Sequence, residues 1–248
     1  MAKAQDYARP TLEYADKTQE YEKHDRKFII GISIGAAIPS GDFASTNVKN
    51  SFWDFHSIDS THLQGFAQTG FHFNITAAYM FTDNFGMIIL LGNSSNTFDI
   101  NSFSAAIGGY PASNLSGSYS TSEYLIGACV SYPLAKNLNF KASALIGLVN
   151  SNYPSLNIAL SDTETYQRDI NGGSGFAYNI MAGITYNITN SIGIAVNVAY
   201  TGTTVFYPSW TETATYTGYY PFSVSHNSDV LTMTMGLLKP TIGIEFRL

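Results

Sequence analysis

In the stretch "VSHNS" (224–228), His226 and Ser228 stand two residues apart, so an extended strand would set both side chains on one face. These are the residue types of a nucleophile and its general base, and Glu212 or Asp229 could orient the imidazole, although no spacing demands either. The stretch "DFHSIDSTH" (54–62) brings together Asp54, His56, Asp59 and His62, residue types that bind metals, but without a recognised ligand spacing. A polar surface loop with no metal is the expectation there. "NGGSG" (171–175) opens no helix and so cannot cradle a phosphate. No cofactor is expected.

Composition limits the surroundings of these residues. The chain has 248 residues, enough for a single large all-β domain, and only 12% are charged, about half the usual share for a soluble domain. Twelve charges, six of each sign, fall before Phe28, and the rest of the chain carries the whole net charge of -6. Nothing resembles a basic nucleic-acid footprint. Cys129 is the one cysteine, so no internal disulfide can form. Ala2, Lys3 and Ala4 before Gln5 fit the small-x-small pattern left by secretory cleavage. Residues 1–27 are too polar to build a core, and the domain boundary is placed there, between a polar extension over 1–27 and a folded domain over 28–248. The extension reads either as a disordered leader or as a tether anchored on a partner by Leu12, Tyr14 and Tyr21.

One corner recurs. "AYMFTDNFGM" (78–87), "SYPLAKNLNF" (131–140) and "TYNITNSIGI" (185–194) superimpose without a gap on Tyr79, Tyr132 and Tyr186. Period-two alternation flanks each, as in Phe71, Phe73, Ile75, Ala77, Tyr79 against His72, Asn74, Thr76, Ala78, which predicts three long hairpins. "KFIIGISIGAAIP" and "TIGIEFRL" alternate in the same way and bring the number of strands to eight.

The two faces of these strands are unusual. One is bulky and apolar; the other is Gly, Ser, Ala, Thr and Asn, nearly without charge, which covers a water-exposed surface poorly and suits the cramped interior of a small barrel. The apolar face must then meet lipid, where a closed barrel satisfies every backbone group. Phe28, Tyr79, Phe81, Phe85, Tyr132, Tyr186 and Phe246 all fall at the short-turn side, where an interfacial girdle belongs. The opposite reversals, roughly 39–69, 93–121, 150–174 and 201–228, are long, acidic and rich in Ser, Asn and Tyr. Short periplasmic turns and long extracellular loops are the expected asymmetry, with both termini periplasmic. Alternation in "SWTETATYTGYY" and "SLNIALSD" predicts strands continuing above the bilayer. Glu123, Lys141, Lys239, Glu245 and Arg247 have inward parity and should pair within a packed polar lumen, the competing reading being a gated ion path. His72 shares that face and reads as a satisfied core histidine.

"GISIGAAIPSGDF" (31–43), a Gly-spaced strand ending in Pro-x-Gly-Asp-Phe, resembles the first strand of small OmpA/OmpX-type outer-membrane β-barrels, particularly those common in Bacteroidetes. The final "IGIEFRL" is similar to the C-terminal signal read by the barrel-assembly machinery, with the departure that Leu248 is last and the aromatic is Phe246. The resemblance implies an all-β, eight-stranded antiparallel transmembrane barrel in the outer membrane of a Gram-negative bacterium, in contact with lipid and lipopolysaccharide. It covers adhesins, integrity proteins, lipid-modifying enzymes and complex subunits, so it leaves function open. The expected role is non-enzymatic, in surface interaction or envelope structure, with a protein partner in the periplasm or at the cell surface. Tyr110, Tyr153, Tyr207, Trp210, Tyr219 and Tyr220 would then carry the contacts, because rings give area at low entropic cost. The alternatives are a lipid-modifying enzyme, since a similar His-x-Ser pair serves lipid A deacylases, and a narrow transport conduit.

Overall fold

The computed structural model describes residues 27–53, 61–114, 117–217, 222–228 and 230–248, with backbone alone at Asn114, Leu160 and 222–228. Eight antiparallel strands close on themselves: β1 (Phe28–Ser40), β2 (Gly70–Met80), β3 (Phe85–Thr97), β5 (Ser118–Ala135), β6 (Leu138–Asn152), β9 (Gly173–Asn187), β10 (Ile192–Tyr207) and β13 (Leu231–Arg247). The closure joins the first and last strands, with Ile32 opposite Ile244. Short strands β4 (Ala112–Asn114), β7 (Leu156–Ser161), β8 (Glu164–Ile170), β11 (Trp210–Tyr216) and β12 (Phe222–Ser228) form a separate sheet in the order β12-β11-β8-β7-β4. The expected strands are present in "SLNIALSD" and in the described part of "SWTETATYTGYY", as β7 and β11, but they belong to a sheet of their own, in which β8 pairs with both.

Burial alternates along every barrel strand, with bulky residues outside. Ile34, Phe71, Ile146, Ile180 and Ile242 are about half exposed or more, while Ser33, His72, Leu145, Asn179 and Thr241 beside them are buried. An exposed belt of Ile, Phe, Leu, Val and Tyr around a closed sheet is a lipid-facing surface, so the barrel is transmembrane.

Chemistry explains the recurring corner. In the β2–β3 turn, Phe81 N and Thr82 N donate to Phe85 O, and Thr82 Oγ1 accepts from Asn84 N and Phe85 N at 3.3 and 3.0 Å. The β9–β10 turn repeats this atom for atom: Ile188 N and Thr189 N donate to Ile192 O, and Thr189 Oγ1 accepts from Ser191 N and Ile192 N at 3.2 and 3.0 Å. The middle corner has Ala135 where the other two have threonine. Without a hydroxyl to hold the backbone N–H groups, the chain turns more tightly between Ala135 and Leu138 and shifts register between Pro133 and Ala135.

Candidate functional site

Two features distinguish the interior: a polar layer across the middle of the lumen and a greasy plug beneath the crown. In the polar layer, Lys239 on β13 and Glu123 on β5 are fully buried, and Lys239 Nζ lies 2.6 and 2.5 Å from the two carboxylate oxygens. Its third donor reaches Thr201 Oγ1 at 2.6 Å, and Thr201 in turn accepts from Asn179 Nδ2 at 2.8 Å. The ammonium is thus fully satisfied, as a charge in a low-dielectric interior must be. His72 sits in the same layer, with Nδ1 2.9 Å from Ser94 Oγ and Nε2 3.1 Å from Asn74 Nδ2. Nearer the turns, Lys141 pairs with Glu245 at 2.5 Å. Arg247 is half-buried beside Glu245, and its Nε makes no hydrogen bond.

The lumen is not polar along its full length, and the expectation of a wholly polar interior is corrected here. Toward the crown the inward positions of β10 and β13 become Val205, Met233, Met235 and Leu237, all buried, while Leu90, Leu125 and Leu145 form an apolar patch on the turn side of Glu123. Into the apolar mouth at the crown end folds the segment between β1 and β2. A 3-10 turn at Gly41–Phe43, with Gly41 at φ 66°, tips Phe43 into the barrel, and Trp53, Leu63 and Phe66 follow it. Backbone bonds tie the segment down: Leu63 N to Thr232 O, Gly65 N to Asp42 O and Ala67 N to Phe43 O. A Cβ at Gly65 would lie 2.3 Å from Phe43 O, so only glycine lets these two backbones meet.

Two tyrosines fasten the plug from the wall. Tyr119 OH donates to Gly65 O at 2.5 Å and Tyr153 OH to Gln64 O at 3.0 Å. Helix α1 (Ile100–Ala106), capped by Asp99, adds Phe103, which meets Trp53 edge-on at 5.0 Å between ring centroids. The Asp99 carboxylate accepts from Ser102 N at 3.0 Å and Ser102 Oγ at 2.7 Å, and these bonds hold its pKa below the usual range. The crown sheet is locked to the plug by Arg168 on β8, whose guanidinium lies over the rings of Trp53 (5.1 Å) and Phe52 (5.3 Å) and donates from Nε to Glu212 Oε2 at 2.5 Å.

Placement of the sequence candidates follows. Tyr153 and Tyr207 are buried, at 5% and 0% exposure, and pack against each other in the plug. They are therefore removed from the partner-facing set: their ring area is already spent inside. Trp210 is half-buried against Phe52, and Tyr110 is exposed. Tyr219 and Tyr220 lie outside the described residues, as do Asp54, His56, Asp59, Asp229 and the leader with Leu12, Tyr14 and Tyr21. His62 is described, and its Nε2 lies 2.9 Å from Asp42 Oδ2. The backbones of Glu212 and His226 are paired, but the Glu212 carboxylate is held by Arg168; the side chains of His226 and Ser228 are outside the description. Phe28, Tyr79, Phe81, Phe85, Tyr132, Tyr186 and Phe246 are all exposed on the outer wall at the turn end. Tyr119, Arg168, Phe43 and Phe66 are the residues that sequence reasoning missed. Inward-parity leucines and methionines such as Leu125, Leu145, Met233 and Met235 were the available signal that the lumen is partly apolar.

No family model matches this chain, and no curated protein is significantly similar to it in sequence. The fold is that of an outer-membrane β-barrel. Among solved structures, Neisserial surface protein A is 10% identical over 89% of this chain and 96% of its own, with a TM-score of 0.45. The outer membrane protein OprG from Pseudomonas aeruginosa is 12% identical over 90% of this chain and 97% of its own, at 0.44. Ail, the attachment invasion locus protein of Yersinia pestis, is 13% identical over 89% and 99%, at 0.40. Likeness at this level says nothing of activity.

Proposed function

We propose that this barrel is a non-enzymatic outer-membrane protein that holds a rigid crown at the cell surface for binding a partner, with both termini in the periplasm. The observation that carries the reading is the continuity from barrel to plug to crown. Arg168 bridges the crown sheet and the plug rings, and Tyr119 and Tyr153 bridge the plug and the barrel wall. A recognition platform benefits from being built this way, because a preorganised surface avoids the cost of ordering loops on contact. The filled mouth argues against a transport conduit, and commitment of Glu212 to Arg168 removes one of the two carboxylates available to a His226–Ser228 pair.

A photo-crosslinking residue placed at exposed Tyr110 on intact cells tests the reading. A discrete adduct there, absent when the crosslinker replaces buried Tyr207, is expected; crown positions that yield no adduct, or are reached only after the cells are broken, overturn it. Lipid A modification by the wild-type protein, lost in His226→Ala, would establish the enzyme instead.

A further inference from the structure

The turn end of the lumen holds a ring of sulfur ligands that the plug and ion pairs do not use. Register places Met80 opposite Gly86, Gly86 opposite Cys129, Cys129 opposite Ser143, and Ser143 opposite Met181, so one row of inward positions runs across β2, β3, β5, β6 and β9. Gly86 makes the row continuous. A Cβ there would lie 2.8 Å from Met80 Sδ, so its absence lets the thioether cross β3 and come within 4.0 Å of Cys129 Sγ. Met80, Cys129, Ser143 and Met181 line one cavity of about 50 Å3. Ser143 is 7% exposed, and its hydroxyl has no hydrogen-bond partner. A buried unpaired hydroxyl on a cavity wall calls for an occupant. Lys141 and Glu245, also on the wall, neutralise each other at 2.5 Å.

We propose that this ring binds one soft monovalent cation of the Cu(I) class, held by the Cys129 thiolate and the thioethers of Met80 and Met181, with Ser143 Oγ beside it. Soft sulfur ligands suit Cu(I), Zn and Fe–S clusters, and a set of one thiolate with two thioethers favours Cu(I), because zinc sites are built on thiolate, imidazole and carboxylate and clusters on several thiolates. With metal–sulfur bonds of about 2.3 Å, two sulfurs 4.0 Å apart subtend about 120° at a shared ion, the trigonal angle. Among the described residues no group of three His, Cys, Asp or Glu side chains offers a competing site for a harder metal. Binding forms the metal–thiolate bond, breaks the S–H bond and releases one proton to solvent; no oxidation occurs. Cys129 and Met181 are only half-buried, which leaves the ion a path from the turn end.

Ag(I) is the probe, since it shares the charge and ligand preference and does not change oxidation state. Titrated by calorimetry into the full chain in detergent micelles and chloride-free buffer, it should saturate at one ion per chain. Met80→Leu and Met181→Leu, volume-conserving changes that keep the fold, should each weaken binding at least tenfold, and Cys129→Ser should weaken it further. Lipid-facing Met87→Leu should leave it unchanged. No saturable binding, or Met80→Leu and Met181→Leu variants that bind like wild type, as a lone thiol would, overturns the site; the methionine variants decide the matter even if Cys129→Ser fails to fold.

Discussion

Glu123→Gln removes one charge from the fully buried pair in the lumen while keeping size and shape. Lys239 would then retain Thr201 and an amide oxygen but lose its counter-charge in a site with 1% exposure. Leaving one member of a buried pair uncompensated typically costs about 3–5 kcal/mol. With a urea m-value of about 2 kcal/mol/M, that is a midpoint shift of roughly 1.5–2.5 M. The measurement is equilibrium unfolding from lipid vesicles, followed by fluorescence of Trp53 and Trp210. The control is Glu123→Leu with Lys239→Met, which removes both charges and should recover most of the loss, because two apolar groups need no partner. A Glu123→Gln midpoint within about 0.3 M of wild type, or a double variant weaker than the single, would refute the claim that the pair is held in a dry, tightly coupled environment.

Arg168→Ala should free the crown without opening the barrel: protease cleavage within 153–172 and 208–217 should accelerate, with a local loss of about 1–3 kcal/mol from the stacked cation and its charged hydrogen bond. Asp99→Ala should cost about 1 kcal/mol of helix α1 stability through loss of the cap, read as faster amide exchange over Ile100–Ala106. Because the folded pKa of Asp99 is lowered, its contribution is present above the unfolded carboxylate pKa and is lost as pH falls through the folded one. Asp99→Asn should keep the cap and abolish that pH dependence.

Fold and site were legible to different depths in the sequence. The strand pattern shows because lipid inverts the usual rule: Ile180 and Asn179 differ in character at every second step, and a fixed period survives any uncertainty about partners. The ion pairs follow from parity, since Glu123 and Lys239 fall on the small-residue face where an unpaired charge is untenable. The plug does not show. Phe43, Trp53, Leu63 and Phe66 come from a segment without period, and their burial depends on a β3–β5 helix and on tyrosines distant in sequence. For the same reason Tyr153 and Tyr207 resemble surface aromatics in sequence and become core in three dimensions. The crown sheet was half-visible as alternation, but pairing between β8 and β11 is a non-local choice that local pattern cannot express.

The central claim is that the bulky apolar face meets acyl chains. Its most direct test is nuclear Overhauser transfer from lipid methylenes to methyl-labelled protein in nanodiscs: strong cross-peaks at Ile146, Ile180 and Ile242, and none at Leu125 or Leu145, are expected. Lipid contacts at Leu125 and Leu145 with Ile146 and Ile180 silent would contradict it.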